Sequence, residues 1–119
     1  MLSPFWNSAG PRFVDRNEVL AIARETARRI AAEHPEVLRI LLFGSFARKD
    51  YGACSDLDLL IVLSHSEKPA RERTTQYMDA AAGYPCDILA YTKQELEAEL
   101  DAGNPFLAGI LRDSLQLHP

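Results

Sequence analysis

The chain has 119 residues, of which 47% are apolar, 25% are charged and 8% are aromatic. This is the composition of a globular domain, and a chain of this length has no room for a second independent core. Lys and Arg total 13 against 17 Asp and Glu, a net charge of -4, which argues against extensive nucleic-acid binding over a basic face. No apolar run approaches the roughly 20 residues of a membrane span, so we expect a cytoplasmic protein with no membrane partner.

The first residues differ in pattern from the rest of the chain. Prolines and a glycine interrupt an aromatic-rich stretch, and neither a helical nor a strand period is sustained there. We therefore expect an irregular N-terminal arm over residues 1–14, followed by a single domain over residues 15–119.

Short apolar runs alternate with segments of helical spacing along this domain. Strands are predicted at residues 37–43, 57–63 and 86–91, with a brief edge strand at 115–117. Helices are predicted at residues 15–34, 69–82, 92–102 and 106–113, three of them with a capping residue at the start. In the second helix the expected inner stripe is Ala70, Thr74, Tyr77, Met78 and Ala81.

The links between strands predict their directions. A helix joins the second strand to the third, and such a crossover places two strands parallel through a right-handed connection. The link over residues 44–55 is short and polar, so the first strand is predicted to run antiparallel to the second. The expected fold class is α/β, or α+β, with a short mixed sheet of three to four strands flanked by helices.

Three aspartates are predicted to meet at one edge of this sheet. Asp56 and Asp58 are separated by one residue, so on a strand their side chains share a face about 7 Å apart. Asp87 lies one residue past the start of the third strand, where parallel pairing brings it beside them. Carboxylates so placed repel one another, and a divalent cation would compensate. Ligands that are oxygen only favour Mg²⁺ or Mn²⁺ over zinc.

Each aspartate also has a simpler interpretation. Asp56, directly after Ser55, is by itself typical of a turn or cap residue. Asp58 and Asp87 lie inside apolar strands, where a charge without a partner is disfavoured, although Asp87 paired with an arginine is a fair alternative. A plain α/β domain whose acids are structural therefore stays open.

Gly44 and Ser45 directly follow the first strand and lead into a short predicted helix. The free N–H groups at such a helix start can hold a phosphate, and the Ser45 hydroxyl adds a donor. Glycine after a strand usually marks only a turn. Ten residues then separate Ser45 from Asp56-x-Asp58, and this combination in its strand–turn–strand setting is much rarer than either part.

Residues 41–62, LLFGSFARKDYGACSDLDLLIV, carry a family resemblance. They resemble the signature of the DNA polymerase β-like nucleotidyltransferase superfamily: Gly-Ser, ten residues, Asp-x-Asp, and a third carboxylate on a later strand. The chain most resembles the minimal nucleotidyltransferases, small proteins often paired with a HEPN partner as toxin and antitoxin. The resemblance spans nearly the whole chain and implies the polymerase β-like nucleotidyltransferase fold.

The resemblance also implies roles for particular residues. Binding of the nucleotide phosphates falls to Gly44, Ser45 and Arg48, and metal binding with catalysis falls to Asp56, Asp58 and Asp87. The implied reaction is Mg²⁺-dependent transfer of a nucleoside monophosphate, AMP from ATP, onto a hydroxyl of a HEPN-type partner protein. The alternative is a non-catalytic antitoxin that neutralises a HEPN ribonuclease by occlusion.

The last predicted helix offers a surface for such a partner. Apolar residues of this helix and of the N-terminal arm together are more than one small sheet must bury: Phe106, Leu107, Ile110 and Leu111 in the helix, and Phe5, Trp6 and Phe13 in the arm. The same residues would serve equally well to cover the sheet or to form a homo-oligomer.

Overall fold

The computed structural model describes residues 15–44, 47, 57–78 and 86–118. In chain order these form α1 (Arg16–Glu33), β1 (Val37–Phe43), β2 (Leu57–Leu63), α2 (Ala70–Met78), β3 (Cys86–Thr92), α3 (Lys93–Asp101), α4 (Pro105–Asp113) and β4 (Leu115–His118). The predicted arm, residues 1–14, lies outside the described residues. Within the described part of the chain, no helix is long and apolar enough to cross a membrane.

The strands form one mixed sheet in the order β3-β2-β1-β4. β2 and β3 are parallel, whereas β1 runs antiparallel to both β2 and β4. The predicted strand directions and the predicted edge strand at the C-terminal end are thereby confirmed. β2 is buried on both faces apart from Asp58, which explains why its sequence reads as a nearly continuous apolar run.

Helices cover both faces of the sheet. On the first face, α1 and α2 pack over alternate strand residues, and the larger core forms from Val19, Ala23, Ala27, Ile30, Val37, Ile40, Leu42, Leu57, Leu59, Ile61, Leu63, Tyr77, Ile88 and Ala90. On the second face, α3 and α4 bury the intervening strand residues in a smaller core of Leu41, Leu60, Val62, Leu96, Leu107 and Ile110. The last helix thus covers the sheet with Leu107 and Ile110, and Phe106 is left 58% exposed.

Side-chain caps fix where the helices begin. The Asp15 carboxylate accepts a hydrogen bond of 2.9 Å from the Asn17 N–H at the start of α1. At α3 the bonds are reciprocal: Thr92 Oγ1 accepts from the Glu95 N–H, and the Glu95 carboxylate accepts from the Thr92 N–H. Each cap satisfies donors that the first helical turn leaves unpaired, so these predicted helix starts are confirmed.

The inner face of α2 differs from the predicted stripe. Tyr77 is buried as expected, but Ala70 is exposed and Met78 is 44% exposed. Arg73, which the stripe did not include, is only 4% exposed. Ala81 lies outside the described residues. The apolar pattern of this helix is weak, and the charged side chain of Arg73 occupies a buried position on its inner face.

Arg73 is tolerated there because its guanidinium is fully engaged. It donates to the carbonyl oxygens of Lys68 (3.0 Å) and Ala90 (3.3 Å) and to both carboxylate oxygens of Glu95. The hydrogen bond from Arg73, with a second from the Thr92 backbone, lowers the pKa of Glu95 to about 2. The pair joins α2 to α3.

Replacing Glu95 with Gln is expected to lower the free energy of unfolding at pH 7 by about 1–3 kcal/mol, because the buried Arg73 cation loses its charged partner. Solvent reaches the Glu95 side chain, which is 44% exposed, so the loss stays below that of a fully buried pair. The Glu95 pKa is lower in the folded protein than in the unfolded chain. Its contribution is therefore complete above about pH 5 and declines as the pH falls toward 2. Urea unfolding of both proteins at neutral and acidic pH measures the difference.

Glu25→Gln is the matched control. Glu25 pairs with Arg28 at 2.6 Å, but both side chains lie on the exposed surface of α1, where ion pairs contribute little. Little change in stability is expected. Equal losses for the two variants, or a Glu95→Gln difference that does not narrow on acidification, would contradict the assignment.

Candidate active site

Asp58 and Asp87 are direct partners in the parallel pairing of β2 with β3. Their side chains therefore lie on the same face of the sheet, on strands about 4.8 Å apart. Leu57 and Leu59, on either side of Asp58, are fully buried in the core on the opposite face. Asp58 is half-buried and Asp87 is exposed, so the predicted meeting of these two carboxylates at the sheet edge is present and accessible to solvent.

The backbone of Gly44 packs directly against the Asp58 carboxylate. It follows Phe43, which is the β1 partner of Asp58, and its φ of +76° is a conformation that favours glycine. A Cβ built on Gly44 would overlap Asp58 Oδ2 and lie 2.9 Å from its Cγ. Any larger residue would therefore displace the carboxylate, and the position requires glycine for both its backbone angle and its space.

A cleft of about 660 Å³ opens beside Asp58 on the face covered by α4. It is lined by Phe43, Gly44, Asp58, Pro105, Phe106, Gly109, Ile110 and Asp113. Phe106, Gly109, Ile110 and Asp113 follow the spacing of one helix face. The volume is within the range of about 300–1,000 Å³ typical of small-molecule sites.

The described lining of the cleft is acidic. Asp58 and Asp113 are its charged residues, and Arg112, the neighbour of Asp113 in the chain, donates to the Asp113 carboxylate at 3.2 Å. A cation would offset the repulsion between these carboxylates and a bound anion. Paired carboxylate oxygens without His or Cys are the ligand chemistry of Mg²⁺. The residues present thus fit a hard divalent cation.

The structure reaches only part of the predicted site. Ser45, Arg48 and Asp56 lie outside the described residues. Of the predicted helix after Gly44 the structure describes Ala47 alone, which is helical and packs against the larger core. In the described segments, no three His, Cys, Asp or Glu side chains are grouped to hold a metal ion. Of the predicted ligands, Asp58 and Asp87 are the two that lie within the described residues, and they are neighbours on adjacent strands.

The wall of the cleft formed by α4 was not predicted. The sequence spacing of Phe106, Gly109 and Asp113 does predict that the three residues lie on one face of a helix. Sequence does not show which part of the sheet that face meets. The structure places it over the ends of β1 and β2, next to the carboxylate.

Known proteins share this architecture. The family model described as "Polymerase beta, Nucleotidyltransferase" matches residues 25–102. A Sulfolobus solfataricus protein assigned as a nucleotidyltransferase has a similar fold, with a TM-score of 0.62 and 24% identity over 85% of this chain and 80% of that chain. No curated protein sequence matches.

More distant structures belong to toxin–antitoxin complexes. One was solved with AMP-PNP, with a TM-score of 0.46 and 17% identity over 87% of this chain and 73% of that chain. Another is the tri-AMPylated Shewanella oneidensis HEPN toxin with an MNT antitoxin, with a TM-score of 0.39 and 15% identity over 86% of this chain and 67% of that chain. Likeness at this level adds nothing to the assignment of the fold.

The family match covers well over half of the chain and includes Gly44, Asp58 and Asp87. The mixed sheet with helices on both faces agrees with the fold of the Sulfolobus structure. The chain therefore belongs to the polymerase beta nucleotidyltransferase family.

Proposed function

We propose that this protein transfers a nucleoside monophosphate, AMP from ATP, to a hydroxyl group in a Mg²⁺-dependent reaction. The observation that carries the proposal is the pairing of Asp58 with Asp87 beside Gly44, at the mouth of a cleft of ligand size. Membership of a nucleotidyltransferase family supports a transferase with a nucleotide as donor.

The proposed metal ligands are Asp58, Asp87 and Asp56. The first two present oxygen donors from neighbouring strands on one face, and Asp56 adds a third by its spacing in the sequence. Bound Mg²⁺ supplies charge neutralisation at the phosphates and makes the acceptor hydroxyl more acidic. Among the described lining residues the charged ones are acidic, which supports a cation requirement because carboxylates repel a triphosphate.

The chain's own residues bind the donor and handle the proton. Gly44 has no side chain, so a phosphate can approach the backbone, and Ser45 and Arg48, which follow it in the sequence, are the further proposed donors. The acceptor oxygen bonds to the α-phosphorus while the bond from that phosphorus to the oxygen bridging to the β-phosphate breaks, and pyrophosphate leaves. Asp87 takes the proton from the acceptor hydroxyl.

The proposed acceptor is a hydroxyl on a HEPN-type partner protein. β3 is an edge strand and Asp87 is exposed on it, so a large acceptor can reach the carboxylate. The identity of the partner comes from the resemblance of residues 41–62 to minimal nucleotidyltransferases. The second candidate function is that of an antitoxin that acts by occlusion, and its distinguishing property is independence from Asp58.

A transfer assay separates the two functions. The protein is incubated with Mg²⁺, ATP labelled at the α-phosphate, and the protein encoded next to it, and the partner is examined by mass spectrometry for added AMP. Label on the partner supports transfer. A partner that is neutralised equally well by the wild type and by Asp58→Asn, without label, supports occlusion.

Asp58→Asn is expected to reduce Mg²⁺-dependent ATP binding and transfer by about 100-fold or more, because it removes a charged metal ligand. The free energy of unfolding without metal should stay level or rise, since the amide no longer repels the Asp87 carboxylate. Isothermal titration with ATP and Mg²⁺, together with urea unfolding, measures both effects.

Asp101→Asn is the control for this substitution. Asp101 is exposed at the end of α3, away from the residues that line the cleft, and the change removes the same charge. ATP binding should be unaffected. Asp58→Asn with near wild-type turnover at saturating Mg²⁺ would refute the metal-site assignment.

Gly44→Ala tests the contact between backbone and carboxylate. Gly44 and Gly103 both have positive φ, +76° and +83°, but a Cβ at Gly103 would meet no atom of the described segments within 4 Å. We expect Gly103→Ala to cost about 1 kcal/mol of stability from backbone strain alone, and Gly44→Ala to cost at least about 1 kcal/mol more through overlap with Asp58. Urea unfolding gives the two costs.

Nucleotide binding should separate the two alanine variants further. Gly44→Ala is expected to weaken Mg²⁺-dependent ATP binding, whereas Gly103→Ala should bind ATP as the wild type does. Equal stability costs together with equal ATP affinities would show that the Gly44 contact has no part in the site.

A further inference from the structure

Phe106 is an exposed ring in a concave, ligand-sized site. It is 58% exposed, more than Met78 (44%) or Leu38 (39%), the other large apolar residues exposed in the described part of the chain. It lines the same cleft as Gly44 and Asp58. A single exposed apolar residue needs no explanation, but one inside a cleft has a surface available to a ligand.

A helix cap holds the backbone of Phe106, and a neighbouring aromatic ring contacts its side chain. The Asn104 side chain accepts hydrogen bonds from the N–H groups of Phe106 (3.0 Å) and Leu107 (3.2 Å), which holds the first turn of α4. Phe43 packs against Phe106 edge-to-face, with ring centroids 6.3 Å apart. The ring is therefore held in place while much of its area stays open, which is how a stacking platform is built.

Gly109 leaves room beside this ring. It lies one helical turn after Phe106 and lines the same cleft. Among the residues that the structure describes, a Cβ built there would meet only the Arg112 Nη2 atom, at 3.7 Å. Glycine inside a helix is less favourable than alanine, so an open cleft gives a physical reason for its presence.

We propose that the base of the bound nucleotide stacks on Phe106 above Gly109. A nucleoside triphosphate combines an anionic chain with a flat aromatic base. The cleft combines the Gly44 and Asp58 end of the sheet with an aromatic and aliphatic wall from α4. This assignment rests on the proposed function, because the phosphates of the same ligand would bind at Gly44. Stacking accepts any base, so Phe106 sets affinity for the nucleoside rather than the choice of base.

The test compares ATP with inorganic tripolyphosphate, both with Mg²⁺, on the full chain by isothermal titration. Phe106→Ala and Phe106→Leu are expected to weaken ATP binding about 5- to 100-fold, because both remove the aromatic face. Tripolyphosphate has no base, so its affinity should not change. Phe106→Leu keeps apolar volume at the position and covers the case in which the alanine variant folds poorly.

Two further variants complete the comparison. Phe106→Trp should retain ATP affinity, and its indole fluorescence should change with ATP but not with tripolyphosphate, measured against the background of Trp6 in the unsubstituted protein. Leu38→Ala removes an exposed apolar side chain outside the cleft and should leave both affinities unchanged.

Gly109→Leu separates loss of the site from loss of the fold. Leucine is a better helix former than glycine, so the melting temperature should be equal or higher. Its side chain would occupy the space beside Phe106, so ATP affinity should fall at least about tenfold in line with a lost stacking contact, while tripolyphosphate binds as before.

The outcomes distinguish this inference from the proposed function. If the wild type binds both ligands and the Phe106 and Gly109 variants bind ATP equally well, the stacking assignment is overturned and the proposed function stands. If the Phe106 variants lose ATP and tripolyphosphate in parallel, Phe106 has only a structural role. If the wild type binds neither ligand, the proposed function fails and the stacking assignment fails with it.

Discussion

The parallel pairing of β2 with β3 in a single register determines both the core and the candidate site. In this register Asp58 faces Asp87, and the alternate residues Leu57 and Leu59 are fully buried on the other face. A slip of one residue would turn the carboxylate into the apolar core and expose the leucines, at a large cost in free energy. The burial of β2 therefore fixes the place of the carboxylate without any contact dedicated to that purpose.

The site lies where the sheet can hold charge. Asp58 is near the beginning of β2, so it is half-buried, whereas the strand residues after it are buried on both faces. Its carboxylate lies against Gly44, and its paired neighbour is another carboxylate. A bound cation would neutralise the negative charge that this arrangement brings together. The geometry would therefore favour a metal and its phosphate ligand.

The short helix α4 contributes residues to both the core and the cleft. Leu107 and Ile110 are buried against the sheet, while Phe106 and Gly109 border the cleft. The Asn104 cap and the buried Leu107 and Ile110 hold the helix, and with it the wall of the cleft, against the sheet. Ligand binding at the proposed site would thus depend on the packing of this helix.

Local sequence was sufficient for the strands, the helix starts and the pairing of Asp58 with Asp87. The apolar runs are long enough for buried strands, the Thr92–Glu95 capping box marks α3, and the crossover helix requires parallel pairing. These facts place Asp87 beside Asp58, and the glycine after β1 lies against Asp58 on its other side. Each of these features depends on residues close together in the chain or on the length of the segment between two strands. Periodicity and spacing in the sequence are therefore enough to predict it.

The tertiary structure alone decided the contacts between distant segments. Arg73 is buried in place of an apolar side chain because Glu95 and the Ala90 carbonyl, far along the chain, satisfy its guanidinium. Phe106 meets the cleft because α4 crosses the ends of β1 and β2. Helical spacing defines the face of a helix but not what that face packs against. The cost of burying a charge likewise depends on partners that only the folded chain brings together.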